Sequence, residues 1–468
     1  MPRTEAHGYR GRGFLLPRDG TWTVVAWQAG EREPYLRYSR IDSVARCNLQ
    51  SEGSDMFPQE VALHRPHPFI VLVPVLFAAL TSCEPEPVSD NPIRETLPNG
   101  AVLIRYPTLP AVDSVGPEVI EARVDLKFGS LEGDDLNVTF GDVRGVQAAS
   151  DGTIYVLDEQ AAEVRVFDSN GEYLRTIVRR GEGPGEVGSA NGIRLSGDTL
   201  LWIHDTRQWA IMGVDPTGEE VRRFTKPVMS YRYIWDGVFD DRGRYWRATT
   251  HGDDDPGYPP PPGLSLWSER RYYKSYELST GATDSVYVGD ASFRSYGYST
   301  PAGWGFLPLP FEVAELIELN PSGGFWRAHN ASYRIVRTGE GGDTLVVIEA
   351  GLPVQRVTDE DRDAYVEGIV DDSPELRREA EEVASLTPDV KPILEGLFVD
   401  DEGRLWVERV TPRDAPAFYD RYSEDGDYLG SVRLAFDAAG PIWVQHGSIY
   451  ARVVDEFGVH YVVRASLP

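Results

Sequence analysis

Between residues 119 and 468 the chain alternates short apolar runs with polar turns, and one pattern recurs: a Gly-bearing turn, a small gap, and an aromatic residue among β-formers. The six aromatic anchors are Tyr155, Trp202, Trp246, Trp326, Trp406 and Tyr450. They lie 47, 44, 80, 80 and 44 residues apart, so each of the two long intervals holds one unit and an insertion. Self-similarity at a period of roughly 40–50 residues is typical of folds that repeat one supersecondary unit.

A second hairpin follows the anchors, and its turn carries small polar residues close to a glycine, as at 168–171, 215–218 and 423–426. Because Gly and Asn accept the positive φ of tight hairpin turns, each unit is predicted to hold four short antiparallel strands. Six such units predict an all-β fold, a six-bladed β-propeller over residues 117–468. A spare strand at 119–128 precedes the first unit, and we expect it to be the outer strand of the sixth blade and to close the ring.

Three long insertions fall in connections of one class, from second to third strand or from blade to blade: 249–271, 289–312 and 350–396. Neighbouring strands of a blade run in opposite directions, so these connections share one face. Long loops in a compact fold are usually functional or disordered, and we therefore place the functional site on this face, over the central channel. Residues 358–387 are predicted to be helical, because acidic residues follow Thr358 and Pro374 suits a second helix start. We expect a lid across the face, with packing against another subunit as the alternative.

One strongly apolar run, FIVLVPVLFAAL at 69–80, has twelve residues. It is too short for a membrane-spanning helix, which needs about 20 residues, but it suits the centre of a secretory signal. With the Leu80-Thr-Ser-Cys83 that ends it, the run resembles the lipobox of bacterial lipoproteins, whose cysteine is acylated and becomes the first mature residue. The alternative is a buried apolar strand with an incidental cysteine. The resemblance implies a disordered extension or start-site artefact at 1–55, a lipoprotein signal peptide at 56–82, and acylated Cys83 with a Pro-rich tether at 83–116.

Acidic residues outnumber basic ones, with 74 Asp and Glu against 46 Lys and Arg and a formal net charge of −28. No nucleic-acid partner is expected, because no basic stripe is available to displace counterions. Aromatic residues make up 11% of the chain, too many for a disordered acidic protein, so a substantial core is predicted. The presence of only two cysteines excludes a disulfide scaffold and a structural zinc site built from cysteines.

Two segments of the first unit, 146–158 and 164–171, resemble an NHL-type repeat. The joining segment 181–186 resembles the Gly-x-Gly-Pro-Gly-Glu-Phe stretch of bacterial six-bladed propeller lipoproteins, with Val187 in place of the Phe. The resemblance implies a protein exported to the bacterial cell envelope, facing the periplasm or the cell surface. We expect a monomer that touches the membrane only through its lipid anchor.

Asp158, Asp205 and Asn330 each follow an anchor aromatic by three or four positions. They are candidates to converge at the channel mouth and hold Ca²⁺ or another divalent metal. In the repeats that the chain resembles, an Asp at this position bonds neighbouring backbone amides instead. No cofactor is demanded by the sequence, and no residue is assigned as catalytic.

Aromatic and basic residues cluster in or beside the loops of the elaborated face. Those that we assign to ligand binding are Arg207, Trp209, Tyr231, Arg232, Trp235, His329 and Arg409. Aromatic planes beside Arg donors suit sugars, peptides or carboxylates, so the predicted partner is a small molecule, a glycan or a protein. Three alternatives remain open: the aromatic residues only pack the loops, the channel mouth is a metal-dependent lactonase- or lyase-like enzyme site, or the protein is a structural scaffold within an envelope complex.

Overall fold

The computed structural model describes residues 91–131, 136–225, 237–252, 261–301, 303–413 and 415–467. Six β-sheets follow one another along these residues, and they are the blades of the six-bladed β-propeller predicted from the repeats. The predicted extension, signal peptide and Cys83 lie outside the described residues, as do Tyr231, Arg232 and Trp235. In the described part of the chain, no helix is both long enough and apolar enough to cross a membrane.

The strands of the first two blades are short. Before them come β1 (Ile93–Thr96), β2 (Val102–Tyr106), β3 (Val119–Ala122) and β4 (Leu126–Phe128), then a 3₁₀ turn at Leu136–Val138. Blade one holds β5 (Val143–Ala148), β6 (Ile154–Asp158), β7 (Glu163–Phe167), β8 (Tyr173–Arg180) and β9 (Glu186–Val187). Blade two holds β10 (Ala190–Ser196), β11 (Leu200–Asp205), β12 (Ala210–Val214) and β13 (Glu220–Thr225).

Blades three to six follow in the same order of pairing. Blade three holds β14 (Val238–Phe239), β15 (Tyr245–Gly252), β16 (Gly263–Tyr276), β17 (Thr283–Thr300) and β18 (Gly303–Leu307). Blade four holds β19 (Glu315–Leu319), β20 (Phe325–His329), β21 (Arg334–Thr338) and β22 (Thr344–Ala350), and is followed by α1 (Asp359–Asp372), a 3₁₀ turn at Pro374–Leu376 and α2 (Arg377–Ser385). Blade five holds β23 (Leu394–Val399), β24 (Leu405–Arg409), β25 (Phe418–Tyr422) and β26 (Tyr428–Leu434). Blade six holds β27 (Ile442–Gln445), β28 (Ser448–Val454) and β29 (His460–Ser466).

The two ends of each blade define two faces of the propeller. We call the face of the first-to-second and third-to-fourth turns the lower face, and the face of the second-to-third and blade-to-blade connections the upper face. Neighbouring blades pack through their apolar sides, as where Leu157 and Val164 of blade one and Ile203 of blade two lie fully buried in one cluster. Burial of this kind is the main favourable term in folding.

The strand predicted at 119–128 is divided between two blades. Its last three residues, β4, pair antiparallel with β29 and form the outer strand of blade six. Its first four, β3, instead pair parallel with β26 as a fifth strand of blade five. Asp125 causes the division, because its carboxylate accepts the Nε–H of Arg464 at 2.9 Å and its amide donates to the carbonyl of Arg464 at 2.9 Å, which turns the chain onto β29.

Part of the predicted tether at 83–116 belongs to the propeller. β1 and β2 form a hairpin, and β2 pairs parallel with β22 at the outer edge of blade four. Leu103 and Ile104 are buried there, which is why a segment judged from its prolines alone folds onto the blade. The signal that was missed is the Asn99-Gly100 pair between two β-type runs, where Gly100 takes a φ of 85°.

Blade three carries the largest elaboration. β16 and β17 have 14 and 18 residues, so both are longer than the other strands of the blades. The start of β16 pairs with the second half of β17, and the end of β17 pairs with β18. The described parts of the insertions predicted at 249–271 and 289–312 are therefore largely paired strand. Pairing satisfies backbone groups that a loop would leave to water.

The helical insertion begins where the sequence predicts. The hydroxyl of Thr358 accepts the amide of Asp361 at 3.2 Å, and the Asp361 carboxylate accepts the amide of Thr358 at 2.8 Å, which is a capping box. Pro374 starts the 3₁₀ turn ahead of α2. The helices share a buried cluster with the blade-three extension, formed by Tyr296, Tyr298, Leu307, Leu309, Tyr365, Val366, Ile369, Leu376, Ala380, Val383 and Ala384. The predicted lid is thus a helical layer on the blade-three extension.

Candidate functional site

The turns of the lower face are held by a repeated side-chain clip. Its members are Asp240, Arg244 and Trp246 in blade three, and Asp400, Arg404 and Trp406 in blade five. In both blades the carboxylate accepts the indole N–H at 2.8 Å, and it accepts the arginine Nε–H at 2.8 Å in blade three and 2.7 Å in blade five. Blade four has Asn320 in place of the Asp, and the buried indole N–H of Trp326 has no hydrogen-bond partner in the described structure. The aromatic anchors seen in the sequence therefore build the fold.

On the upper face, Asp158 and Asp205 occupy equivalent ends of their second strands and hold backbone amides. Asp158 accepts the amides of Gly141 at 3.0 Å and Ala161 at 3.2 Å. Asp205 accepts the amide of Gly188 at 2.7 Å and that of Arg207 at 3.0 Å. Each carboxylate thus joins the incoming first strand of its blade to the turn after the second strand.

Asn330 performs the same task in blade four. Its carbonyl oxygen accepts the amide of Ala314 at 2.8 Å, and its Nδ2 donates to the carbonyl of Glu312 at 3.2 Å. All three predicted metal ligands therefore have hydrogen-bond partners that organise the turns. Among the residues described by the structure, no group of three or more His, Cys, Asp or Glu side chains is placed to hold a metal ion.

Arg409, predicted to contact a ligand, lies inside the protein. It is 3% exposed at the end of β24, and its guanidinium makes a two-point ion pair with the fully buried Asp420, at 2.5 and 2.7 Å. Tyr333 donates to the same carboxylate at 2.6 Å and bonds Tyr422 at 2.7 Å, while Ser431 donates to Asp420 at 2.6 Å. Arg409 thus belongs to a satisfied polar network between blades four and five, because a buried charge persists only when it is paired.

The ionisation of this network is fixed by its surroundings. Burial raises the pKa of Tyr333 and of Tyr422 well above the usual value, and the charge of Asp420 adds to the effect. Burial works to lower the pKa of Arg409, but Asp420, Tyr333 and Tyr422 together outweigh it and the net pKa is raised. Arg409 is therefore charged and both tyrosines are neutral at neutral pH.

Arg207 and Trp209 share the turn after β11, and both are exposed. Asp205 fixes this turn by accepting the amides of Arg207 and Gln208 at 3.0 and 3.1 Å, and Gln208 donates to the carbonyl of Gly181 at 2.9 Å. The stem of Arg207 lies against Gly188, where an added Cβ would come 2.7 Å from Arg207 Cδ. Within the described residues, the side chains of Arg207 and Trp209 have no hydrogen-bond or ion-pair partner.

Trp209 also takes a backbone conformation that side chains rarely adopt. Its φ is 54°, and Ala162 has the same φ at the equivalent turn of blade one. Ala162 is fully buried, whereas Trp209 is 41% exposed. The left-handed conformation costs a non-glycine residue roughly 1–2 kcal/mol, so the turn carries a large exposed aromatic at an energetic cost.

The other predicted ligand residue in the described structure, His329, is exposed at the end of β20 in blade four. Only Arg207 and Trp209 share one turn. Two further arginines are exposed on the upper face, Arg356 before α1 and Arg413 after β24, and neither forms a side-chain hydrogen bond or ion pair with described residues. Pairing cannot be read from composition, so these free cations emerge only from the structure.

The sequence also gave no sign of a cavity on the upper rim of blade four. It has a volume of about 540 Å³ and lies where the β1–β2 hairpin meets β21 and β22. Its lining residues Ile93, Arg105, Tyr106 and Pro107 lie in the segment predicted to be the tether.

A family model described as a 6-bladed beta-propeller matches residues 119–229. Solved structures are also similar, at low identity. A Bacteroides fragilis protein provisionally described as exported is 11% identical, covering 75% of this chain and 99% of its own, with a TM-score of 0.40. Virginiamycin B lyase from Staphylococcus aureus is 11% identical over 71% of this chain and 86% of its own, with a TM-score of 0.31. Regucalcin, a calcium-binding protein of Agrobacterium tumefaciens, is 11% identical over 75% and 97%, with a TM-score of 0.33.

No curated protein matches the chain in sequence. The family match covers only part of the chain, and it agrees with the blades counted from the turns. The chain is a six-bladed β-propeller with an elaborated upper face.

Proposed function

We propose that this chain is an exported, lipid-anchored propeller that binds an acidic ligand or protein partner through its upper face, with the turn of Arg207 and Trp209 at the centre. The observation that carries the proposal is this turn itself. It presents an unpaired guanidinium and an exposed indole two residues apart in the chain, on a backbone held by Asp205. Trp and Arg are the side chains most enriched at the energetic centres of binding surfaces.

Charge supports an acidic ligand. The chain has a net charge of −28, yet Arg207, Arg356 and Arg413 are exposed on the upper face without a carboxylate partner among the described residues. A guanidinium donates two parallel hydrogen bonds to a carboxylate, and an indole stacks on a sugar ring or a peptide side chain. Acidic sugars and peptides with a free carboxylate are therefore the ligand classes that fit best.

A binding screen tests this proposal. The full chain is applied to an array of uronic-acid oligosaccharides, carboxylate-terminated peptides and their neutral counterparts. We expect acidic members to bind and neutral ones to bind at least tenfold more weakly, and the Arg207→Gln/Trp209→Asn double variant to lose that binding. Acidic members that bind both proteins equally, or no acidic binder, would contradict the proposal.

The matched control is Arg242→Gln on the lower face. Arg242 is an exposed arginine that pairs with Glu340 at 2.9 Å, and its removal changes charge by the same amount as removal of Arg207. Binding should survive this variant. A loss equal to that of the upper-face variant would show that general charge, and not the Arg207–Trp209 turn, governs binding.

The proposed export and lipid anchor rest on the resemblance of residues 69–83 to a lipoprotein signal. Several acyl chains give stable anchoring where one does not. The intact mass of protein extracted from membranes tests it directly. We expect a chain that begins at acylated Cys83, and an unmodified Cys83 or retained residues 1–82 would contradict the lipid anchor.

The metal-dependent lactonase- or lyase-like function stays a prediction without an observation in its favour. Its candidate ligands Asp158, Asp205 and Asn330 organise backbone amides. Thermal unfolding of the full chain with Ca²⁺, Zn²⁺ and EDTA would revive it if the melting temperature depended on the chelator.

A further inference from the structure

The cavity on the rim of blade four has an apolar floor. The rings of Tyr106 and Tyr333 line it and are almost fully buried. Tyr106 donates its hydroxyl proton to the carbonyl of Gly426 at 2.8 Å, and Tyr333 donates to Asp420 at 2.6 Å, and neither acceptor lines the cavity. Because both hydroxyls are engaged elsewhere, the cavity meets the carbon edges of the rings.

The wall of the cavity is charged. Arg105 donates from Nε to Glu349 and from Nη1 to Glu95, each at 3.1 Å, and Arg334 pairs with Glu349. The two arginine side chains are 48% and 49% exposed, so part of each guanidinium faces solvent. The two arginines therefore face Glu349 in the lining and Glu95 beside it, and each guanidinium keeps N–H groups that no described carboxylate accepts.

We propose that this cavity is a separate binding site for a small amphiphilic anion, a carboxylate attached to an aliphatic or aromatic body. The volume of about 540 Å³ falls in the usual range of small-molecule sites, roughly 300–1,000 Å³. The apolar body lies against Ile93, Pro107 and the small exposed edges of the Tyr106 and Tyr333 rings, and the carboxylate bonds the remaining N–H groups of Arg334 and Arg105. Glu349 competes for the same arginines and limits the affinity.

Titration calorimetry of the full chain with octanoate tests the site, with octylamine as the cation of equal chain length. We expect octanoate to bind and octylamine to bind at least tenfold more weakly. Arg334→Gln should weaken octanoate binding about tenfold, which is the loss expected when one charge-assisted contact disappears. Glu349→Gln should tighten it severalfold, because it removes the carboxylate that pairs with Arg334 and shares Arg105 with Glu95.

Two variants separate this site from the rest of the surface. Arg242→Gln, at the exposed ion pair on the lower face, should leave octanoate binding unchanged. So should the Arg207→Gln/Trp209→Asn variant in blade two, so failure of the proposed function and failure of this site remain distinguishable.

The two variants at the cavity should change octanoate affinity in opposite directions. Octanoate binding that is unchanged by both Arg334→Gln and Glu349→Gln would place the fatty anion elsewhere and overturn it. Preference for octylamine, lost in Glu349→Gln, would make the site a cation site. Absence of octanoate binding at millimolar concentration would also overturn it.

Discussion

The lower and upper faces of the propeller use the same side chains for different purposes. On the lower face, Arg404 and Trp406 close a turn around the carboxylate of Asp400. On the upper face, Arg207 and Trp209 lie in a turn of similar length but point to no partner in the described structure. An arginine and an aromatic residue near a turn therefore do not indicate a binding site until their partners are known.

The two faces also differ in how far the strands depart from the repeat. Turns on the lower face are short and alike, whereas the upper face holds the blade-three extension, the helices and the connection that carries Arg356. Regular turns keep neighbouring blades in register, so variation is tolerated on the opposite side. We therefore expect substitutions on the lower face to change stability and substitutions of unpaired upper-face residues to change binding.

The largest difference in stability is expected within the upper face, between substitution of Arg409 and substitution of Arg207. Arg409→Leu leaves Asp420 buried without its partner, and such a loss costs about 3–5 kcal/mol in the free energy of unfolding. Arg207→Ala removes an exposed, unpaired side chain and should change it by less than about 0.5 kcal/mol. Denaturant titration of both variants measures the difference. Equal losses would mean that Arg207 is structural.

The next effect compares two tryptophans of the lower face. Trp406→Phe removes an indole that donates to Asp400, whereas Trp326→Phe removes an indole N–H without a partner. Both variants lose a similar volume, so the hydrogen bond to a charged group should make Trp406→Phe the more costly by about 1.5–3 kcal/mol in the free energy of unfolding. Thermal unfolding measures the difference. A larger loss of stability in Trp326→Phe would contradict a stabilising role for the hydrogen bond between Trp406 and Asp400.

A smaller effect concerns how the stability of the blade-three extension depends on pH. Burial, together with the hydrogen bond to Glu382, raises the pKa of Tyr296 to about 12. In the unfolded chain a tyrosine ionises near pH 10, so the contribution of this contact is complete below pH 10 and is lost as the pH rises toward 12. Tyr296→Phe should lower the dependence of stability on pH in this window. An unchanged slope would show that Tyr296 ionises freely in the folded protein.

The smallest effect is expected at Trp209. Trp209→Asn relieves the left-handed strain but loses the contacts of a partly buried ring, and the two changes oppose each other. The net change in the free energy of unfolding should stay within about 1 kcal/mol, while binding to acidic ligands is lost. A much larger loss of stability would make Trp209 a packing residue.

The repeat was predictable because it is written in local signals. Aromatic anchors at near-constant spacing and Gly-bearing turns follow from backbone geometry, so they gave six blades without tertiary information. The start of α1 at Thr358 was predictable for the same reason, since a capping box is a local motif. The pairing of β2 with blade four and of β3 with blade five was not predicted from the sequence. It depends on which sheet edge, distant in the chain, is available for pairing.

The candidate site was only partly predictable. Arg207 and Trp209 were identified by type and position, but Arg409 was identified by the same reasoning and is buried. The difference is Asp420, eleven positions later in the chain, which reaches Arg409 because β24 and β25 are neighbours. Asp158 and Asp205 likewise met the criteria for metal ligands until their backbone partners were seen. Sequence shows which groups are present, and folding decides which of them are left free.

In the proposed function, the free groups of the upper face bind the ligand and those of the lower face do not. Titration calorimetry of the strongest acidic binder from the array, against the full chain, Arg207→Gln/Trp209→Asn and Arg242→Gln, is the decisive experiment. We expect equal affinity for the native chain and Arg242→Gln, and at least a tenfold loss for the upper-face variant. Undiminished affinity of the upper-face variant would show that the ligand binds elsewhere.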